Sequence, residues 1–203
     1  MTEYRITEYK IIEYGCLTEC QRKQAVELFM EGFGHMMTFS KEEELKRKLF
    51  FEIFHPSLFK CYVKEGQVLG LMGIATKEER PLKFDYDACV KNFGKFKGAI
   101  ISKQMNAIFQ SPVVNSEKEL YIDVLVTGSN ARRQGVGAAL LNYAFEQKEY
   151  EVFSIEVFSK NQPAINLYEK SGFKVDKRKR LSPMRFLGAG YPIRMKTAKN
   201  VVA

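Results

Sequence analysis

The stretch Arg132-Arg133-Gln134-Gly135-Val136-Gly137-Ala138 decides the fold, because it joins the clearest strand of the chain to its strongest helix. Before it, residues 119–127 alternate between apolar and more polar side chains, as strands do. The alternation predicts one face made by Leu120, Ile122, Val124 and Val126. The opposite face would carry Glu119, Tyr121, Asp123, Leu125 and Thr127. After the stretch, apolar side chains recur at helical spacing, at Val136, Ala139, Leu140, Tyr143 and Ala144.

The start of this helix has the properties of a pyrophosphate-binding site. The first N–H groups of a helix have no partner within it, and the helix dipole adds partial positive charge. Gly135 and Gly137 lack Cβ atoms, so a phosphate could approach the backbone closely, and Arg132 and Arg133 add cationic donors. Alternatively, the glycines only allow tight helix packing. The P-loop and the dinucleotide fingerprint do not match, because no Lys-Ser/Thr follows and position 140 is Leu.

The whole chain predicts helices and strands mixed within one domain, residues 1–203. Helices are predicted to begin at Thr18 and at Ser40, where capping pairs occur, and at Asn161. Strands are predicted over residues 9–14, 59–64, 67–76, 119–127, 151–157, 173–181 and 191–197. The fold class is therefore α/β or α+β, with a mostly antiparallel sheet flanked by helices. Residues 77–118 form a partly helical insertion before the strand 119–127.

Composition limits the partners that can be considered. The 203 residues are 45% hydrophobic and carry a formal net charge of +8. Positive charge suits nucleic acid or a phosphorylated cofactor, and also a merely soluble surface. The run Lys177-Arg178-Lys179-Arg180 is interpreted as a solvated strand edge. No apolar run reaches the length of a membrane span, and Met1–Arg5 does not resemble a signal peptide, so we expect no membrane and a cytoplasmic location.

The cysteine and histidine content argues against a metal site. The four cysteines form no Cys-x-x-Cys pair, and only two histidines, His35 and His55, could complete a set of ligands. We therefore expect no metal and reduced thiols, the state typical of a cytosolic protein. The cysteines are Cys16, Cys20, Cys61 and Cys89.

Two motifs together resemble the GNAT superfamily of acetyl-CoA-dependent N-acetyltransferases. The stretch 132–138 is similar to the family's Gln/Arg-x-x-Gly-x-Gly/Ala signature. The family's second motif, Asn-x-x-Ala-x-x-Leu-Tyr-x-x-x-Gly-Phe, is matched by Asn161-Gln162-Pro163-Ala164-Ile165-Asn166-Leu167-Tyr168-Glu169-Lys170-Ser171-Gly172-Phe173. The motifs stand in the family's order with a strand between them, and motif similarity covers residues 119–173. The resemblance implies the GNAT fold, with acetyl-CoA as the cofactor.

The resemblance also implies roles in cofactor binding and catalysis. Main-chain N–H groups of the stretch 132–138 would bind the pyrophosphate, and Asn161 would hydrogen-bond the pantetheine. Tyr168 would donate a proton to the departing thiolate, although its ring could instead only pack on its helix. Backbone groups that would bind the pantetheine arm belong to Leu125, Val126 and Thr127.

The general base has several candidates. Many GNAT members carry an acid on the strand before the signature, but counting back from Gly135 puts the common Glu position at Tyr121. Asp123 is the preferred candidate, and Glu119 or a water molecule are alternatives. A bulge in this strand would change which side chains face the site, and Asp123 could instead be a buried residue that orients a loop. The acceptor contacts implied by the resemblance are Phe33, His35, Met37 and Tyr121.

The predicted reaction is transfer of an acetyl group to a primary amine, of a small molecule or a peptide, by direct attack in a ternary complex. No Cys or Ser stands within the motifs as an evident nucleophile. A catalytically silent CoA-binding module and an enzyme for a longer acyl-CoA are alternatives. Nucleic acid is not expected, because most aromatics occupy core-facing positions. We expect a monomer or homodimer. The insertion, residues 77–116, would form a wall of the acceptor site or only cover the sheet.

Overall fold

The computed structural model describes residues 8–180 and 189–199, so the predicted end of the strand 173–181 lies outside the described residues. The strands are β1 (Lys10–Glu13), β2 (Phe59–Lys64), β3 (Gln67–Ala75), β4 (Glu119–Thr127), β5 (Val152–Phe158), β6 (Lys174–Arg178) and β7 (Pro192–Ala198). The helices are α1 (Glu19–Phe33), α2 (Glu43–Ile53), α3 (Tyr86–Phe93), α4 (Lys95–Phe109), α5 (Val136–Phe145) and α6 (Gln162–Lys170). Short 3-10 turns cover Tyr14–Cys16, Gly34–Met36 and Ser129–Ala131.

The strands form one sheet in the order β1-β2-β3-β4-β5-β7-β6. Neighbouring strands are antiparallel except β4 and β5, which are parallel. The parallel pair is connected through α5, as parallel strands require a crossover. β7 follows β6 in the chain but lies between β5 and β6. The predicted fold class, mixed α/β with a mostly antiparallel sheet, is confirmed.

The predicted start is confirmed for α1 but not for α2. Thr18 Oγ1 accepts a hydrogen bond from the Gln21 N–H (3.3 Å), and the Thr18 N–H donates to Gln21 Oε1 (3.1 Å), which completes a capping box. Ser40 does not cap α2, which is preceded by Glu42. Instead, Ser40 Oγ accepts from the Glu42 N–H (3.2 Å) and stabilises the turn before the helix.

Two hydrophobic clusters lie on the two faces of the sheet. The first core cluster packs α1, α2 and the insertion against one face, with Phe29 and Phe50 fully buried. The second core cluster packs α5 and α6 against the other face, around Phe153 and Phe173. Complete burial of one such side chain contributes roughly 1.5–3 kcal/mol. Because both faces of its central strands are packed, the sheet is a firm support for the residues that β4 and β5 carry.

The insertion is confirmed as partly helical, and it belongs to the first core cluster. It contributes α3, α4 and the buried side chain of Phe84. Asn106 Oδ1 accepts from the Phe84 N–H (2.9 Å), while Asn106 Nδ2 and Ser102 Oγ both donate to the Phe84 carbonyl at 2.8 Å. The backbone N–H and carbonyl of Phe84 are therefore both hydrogen-bonded, as buried polar groups need to be. The insertion is built into the core as well as covering the sheet.

A bulge in β4 changes the faces that the sequence alternation predicts. Ile122 and Val124 pair with consecutive residues of β3, so Asp123 between them is an extra residue. Ile122 lies in the second core cluster, whereas Val124 and Val126 lie in the first and Leu125 packs against the second. The single apolar face predicted for this strand is therefore wrong beyond Ile122, because an extra residue inverts the alternation.

Candidate active site

The parallel strands β4 and β5 separate part-way along their length. Their pairing ends at Ile122 and Ile155, although β4 continues to Thr127 and β5 to Phe158. We call this separation the fork. Beyond it, backbone groups on the facing sides of the two strands point into a gap rather than to a neighbouring strand. An extended ligand that carries amide groups could pair there as an added strand. The predicted pantetheine contacts, Leu125, Val126 and Thr127, lie on the β4 side of this gap.

The start of α5, which follows β4, offers several unpaired backbone donors. Arg133 (φ 62°) and Gly135 (φ 81°) both have left-handed backbone conformations. The N–H groups of Val136, Gly137 and Ala138 donate to no atom of the described residues. Because a left-handed conformation costs a non-glycine residue roughly 1–2 kcal/mol, Arg133 marks a locally strained turn. Such turns aim successive N–H groups at one point, where the helix dipole also favours an anion.

Glu31, near the end of α1, holds the loop between β4 and α5. Its Oε1 accepts from the Ser129 N–H (3.1 Å) and from Arg132 Nη2 (3.3 Å). Gln134 tightens the same loop, because its Nε2 donates to the Asn130 carbonyl (2.9 Å). The Arg132 side chain is 65% exposed, so this ion pair contributes at most about 1 kcal/mol. The predicted pyrophosphate residues thus lie together in an ordered turn.

The two glycines of the signature have different surroundings. A Cβ atom on Gly135 would meet no heavy atom within 4 Å, so the left-handed backbone is what requires glycine there. A Cβ atom on Gly137 would lie 2.9 Å from Leu167 Cδ2 and 3.5 Å from Thr127 Oγ1. Gly137 therefore lets α5 pack closely against α6 and β4. Of the two predicted openings for a phosphate, only the one at Gly135 is clear of other protein atoms.

Helix α6 carries the second motif. Asn161 is its N-cap, as predicted, and Asn161 Oδ1 accepts from the Ala164 N–H (3.3 Å). This leaves the exposed Nδ2 of Asn161 as a donor. Tyr168 is 5% exposed within the second core cluster, its ring centroid 6.0 Å from that of Phe173. Burial raises the pKa of Tyr168, so the hydroxyl remains protonated at neutral pH. Packing and proton donation are therefore compatible roles for this side chain.

Asp123, at the fork, forms an ion pair with a residue of the insertion. Arg80 Nε and Nη2 lie 3.0 and 2.8 Å from Asp123 Oδ2, and both side chains are nearly buried. Arg80 Nη1 also donates to the Ser111 carbonyl (2.6 Å), which ties the two ends of the insertion together. Burial raises the pKa of Asp123, Arg80 lowers it, and the nearby charge of Glu156 raises it again, with a raised pKa as the net result.

Glu156 is a second carboxylate at the fork, and it lies outside both sequence motifs. It follows Ile155 on β5 as Asp123 follows Ile122 on β4, directly after the last paired residues. Glu156 Oε2 accepts from Lys179 Nζ (2.9 Å). The alternation of β5 contains the signal that would have found it, because Glu156 stands between buried Ile155 and Val157 and must face the opposite side.

Glu119, an alternative base, lies at the other end of β4. It lies four positions before Asp123, which is about 13 Å along a strand. It accepts from Arg194 Nη2 (2.9 Å) and is paired with Lys196 Nζ (3.1 Å). Burial opposes its ionisation, but hydrogen bonds from Ser154, Lys196 and Arg194 outweigh burial and lower its pKa. A remote carboxylate with a lowered pKa is poorly suited to take a proton from an amine at the fork.

A buried lysine fixes the connection between α1 and α2. Lys46 is 3% exposed, and its Nζ donates to the carbonyls of Gly34 (3.3 Å) and Met37 (3.4 Å). Its charge is balanced by Glu43 at 2.6 Å. Because a buried ammonium group needs such partners, Lys46 holds the turn Gly34–Met36 in one position.

The predicted acceptor contacts have unequal exposure. His35 is exposed and Phe33 is partly buried, so both can line a site. Met37 is 5% exposed and packs in the first core cluster, so its role as an acceptor contact stays a prediction that its burial does not favour. Tyr121 is 8% exposed and packs against Val114, and burial raises its pKa. Tyr121 can therefore support a site wall but offers little free surface.

Within residues 8–180 and 189–199, no three His, Cys, Asp or Glu side chains come together as metal ligands. The four cysteines are free thiols. Among the described helices, none combines the length and the apolar character needed to cross a membrane. A groove between α1 and α2 is lined by charged side chains such as Glu27 and Arg47, which pair with each other, and it lies apart from the fork.

Comparison with known sequences decides the family. The sequence model described as the Acetyltransferase (GNAT) family matches residues 22–173, a span that includes both strands of the fork and the starts of α5 and α6. The chain belongs to the GNAT acetyltransferase family. This confirms the resemblance inferred from the two motifs, and it extends the GNAT match back into α1.

Solved structures share the GNAT fold at low sequence identity. An N-acetyltransferase from Staphylococcus aureus Mu50 matches with a TM-score of 0.61 and 16% identity, over 93% of this chain and 100% of that chain. Ard1 from Thermoplasma volcanium matches with a TM-score of 0.56 and 16% identity, over 94% and 97%. A NatC complex bound to Gag peptide and CoA matches with a TM-score of 0.56 and 17% identity, over 94% and 97%. At these identities the likeness establishes the fold alone.

One curated relative matches a short segment of the chain. The peptidyl-lysine N-acetyltransferase YiaC from Escherichia coli (strain K12) is 36% identical over 55 residues. The match covers 27% of this chain and 36% of YiaC, so the chain matches little more than a third of that relative's length.

Proposed function

We propose that this GNAT protein transfers an acetyl group from acetyl-CoA to a primary amine, of a peptide or a small molecule, by direct attack in a ternary complex. The observation that carries the proposal is the fork between β4 and β5, where Asp123 and Glu156 follow the last paired residues. The donors at the start of α5 complete the arrangement. A relative named as a peptidyl-lysine N-acetyltransferase supports a peptide amine as one acceptor.

The described residues fit the pyrophosphate and pantetheine parts of coenzyme A. The N–H groups of Val136, Gly137 and Ala138 suit its pyrophosphate, since they are unpaired among the described residues and follow Gly135, where a Cβ atom would meet no heavy atom within 4 Å. The gap beyond the fork suits the amides of the pantetheine, with Asn161 Nδ2 as an additional donor. When bound, acetyl-CoA supplies the acetyl group as an activated thioester.

Two proton transfers fall to side chains of the chain itself. An alkyl amine, with a pKa of about 10.4, is mostly protonated at neutral pH and must lose a proton before it attacks. Asp123 or Glu156 takes that proton, directly or through water, and the raised pKa of Asp123 makes it a stronger base than an ordinary carboxylate. Tyr168, which burial keeps protonated, gives its proton to the departing thiolate and regains one from solvent.

Thiol release from acetyl-CoA over a panel of small amines and peptides tests the proposed function. We expect at least one amine to accelerate release and to gain an acetyl group by mass spectrometry, with propionyl-CoA and butyryl-CoA as comparison donors. If CoA binds by calorimetry but no amine accelerates release, the chain is a CoA-binding module without catalysis and the proposal is wrong.

Substitution of each carboxylate distinguishes the two candidate bases. Loss of a general base typically lowers the rate about 10²–10⁴-fold. The two variants are Asp123→Asn and Glu156→Gln. The base is the residue whose variant shows this decrease in rate and also lacks the acidic limb of the pH profile of kcat/KM. Wild-type rates in both variants would assign the proton transfer to water alone.

A further inference from the structure

The excess positive charge of the chain is confined to one part of the sequence. Residues 177–203 contain eight Lys or Arg residues and no Asp or Glu. The preceding residues contain 24 Lys and Arg and 24 Asp and Glu, so the formal net charge of +8 lies entirely in residues 177–203. A surplus located in one segment points to a local anionic partner rather than to general solubility.

Strands β6 and β7 bring part of this charge to the fork. Arg194 on β7 is the Cα partner of Glu156, and Lys179, which follows β6, donates to the same carboxylate. All five residues of β6 are exposed. Glu156 and Arg194 lie on the sheet face that the first core cluster covers over β1–β4. Within the described residues, that cluster includes no residue of β5, β6 or β7. We call the cations of this face the basic strip; Lys174, Lys177 and Lys179 are exposed, and Arg194 and Lys196 are partly buried.

Two like-charged pairs face each other within the basic strip. Lys174 is directly opposite Lys196, and Lys177 is directly opposite Arg194. Like charges in opposite positions destabilise a sheet. Glu119 compensates Arg194 and Lys196, but Lys174 and Lys177 form no ion pair with any described residue. Lys174 and Lys177 thus face other cations without an ion-pair partner among the described residues, and the carboxylates of a ligand would compensate them.

The shape of the basic strip favours an extended peptide over nucleic acid. β6 is an edge strand, and two strand spacings of about 4.8 Å separate it from Glu156 on β5. Single-stranded nucleic acid is bound through exposed aromatic side chains interleaved with cations. The exposed aromatics of the described residues are Tyr9, Tyr86 and Phe96, which lie before β1 and on α3 and α4 rather than beside the strip.

We infer that the acceptor is a peptide with acidic residues close to the acetylated amine, and that the basic strip binds their carboxylates. This inference rests on the proposed function. The distance of about 10 Å from β5 to β6 corresponds to about three residues of extended chain, at roughly 3.3 Å per residue. The acidic side chains therefore stand about two to four residues from the amine. The amine is the α-amine or a lysine ε-amine of that peptide.

Matched peptides test the inference. Two peptides share one acceptor amine and differ only in the second, third and fourth residues from that amine. These three residues are Glu in one peptide and Gln in the other. We expect the Glu peptide to have at least tenfold higher kcat/KM at low salt, mainly through KM. The advantage shrinks at high salt, because screening weakens exposed charge pairs. In the double variant Lys174→Glu/Lys177→Glu, we expect the ratio of kcat/KM for the Glu peptide to kcat/KM for the Gln peptide to fall to one or below.

A matched control changes the same charge elsewhere. Lys10 on β1 and Lys103 on α4 are exposed and lie outside the strip, so Lys10→Glu/Lys103→Glu should keep the wild-type ratio. Equal kcat/KM for the two peptides with wild-type protein refutes the inference while the proposed function stands. Absence of acetyl transfer to every amine refutes the proposed function instead. If a DNA oligonucleotide, but not the Glu peptide, depends on Lys174 and Lys177 for binding, the strip is a nucleic-acid site and the inference is wrong.

Discussion

Tyr168 is both a buried ring of the second core cluster and the candidate proton donor. Tyr168→Phe retains the ring and removes only the hydroxyl. We expect kcat to fall about 10²–10⁴-fold, the usual effect of losing a general acid, with CoA affinity and thermal stability nearly unchanged. Steady-state kinetics at saturating amine, with calorimetry for CoA, measure the two effects separately.

Tyr150 supplies the matched control for that substitution. It stands just before β5, at the opposite end of the strand from the fork. Tyr150→Phe should therefore leave kcat unchanged. Wild-type turnover in Tyr168→Phe would mean that water protonates the thiolate and that Tyr168 is only a packing residue.

Arg80 opposes the effect of burial on the pKa of Asp123. Burial raises the pKa of Asp123, and Arg80 holds it down by charge and hydrogen bond. Arg80→Met removes that opposing effect, so the pKa rises further and Asp123 becomes protonated at a higher pH. If Asp123 is the base, the acidic limb of the pH profile of kcat/KM moves upward by about one unit or more, the usual size of a nearby charge effect.

Arg80→Lys distinguishes charge from geometry at the same position. Lysine keeps the positive charge but cannot form the two-nitrogen contact with Oδ2, so we expect a smaller shift than in Arg80→Met. An acidic limb that does not move in either variant would remove Asp123 from the mechanism and leave Glu156 as the carboxylate base.

The packing of α5 against α6 depends on Gly137 rather than Gly135. A Cβ atom on Gly137 would contact Leu167 at 2.9 Å, so Gly137→Val should separate the helices and cost roughly 1–3 kcal/mol of stability, as overpacking does. Gly135→Ala meets no atom but must adopt a left-handed backbone, at about 1–2 kcal/mol. We expect Gly135→Ala to weaken CoA binding about tenfold, a loss of about 1.4 kcal/mol.

Denaturant unfolding and calorimetry check both glycine variants. The helix–helix contact predicts that Gly137→Val loses stability even without CoA. A Gly137→Val protein with wild-type stability would contradict the packing role, and unchanged CoA affinity in a folded Gly135→Ala protein would contradict a phosphate site at the start of α5.

Most helices and strands of this chain can be predicted from local sequence patterns, but the geometry of β4 cannot. The bounds of β4 and the caps at Thr18 and Asn161 follow from local patterns, which act within a few residues. The bulge at Asp123 depends on pairing with β3 across the sheet, and no local pattern encodes it. Glu156 was missed for a related reason, since its importance lies in where β5 leaves β4 rather than in any motif.

At the scale of the whole molecule, the insertion supplies a core side chain, Phe84, and a residue of the candidate site, Arg80. Phe84 is fully buried against helices outside the insertion, whereas Phe96 on α4 is 85% exposed. We expect Phe84→Ala to lower the free energy of unfolding by about 3–5 kcal/mol. Phe96→Ala should change it by no more than about 0.5 kcal/mol. Urea unfolding of the two variants provides the comparison, and equal midpoints would show that the insertion is only an outer layer.

The position of β7 has a consequence for the order in which the protein can assemble during synthesis. β7 emerges from the ribosome after β6, yet among the described strands β6 pairs only with β7, and β5 pairs only with β4 until β7 arrives. Translation proceeds at about 5–20 residues per second. Until β7 has been synthesised, one edge of β5 and the edge of β6 that will pair with β7 therefore stay open. Open edges invite pairing between nascent chains, and the closely spaced cations of β6 repel such a neighbour. The charges that we assign to acceptor binding therefore also protect the half-made sheet.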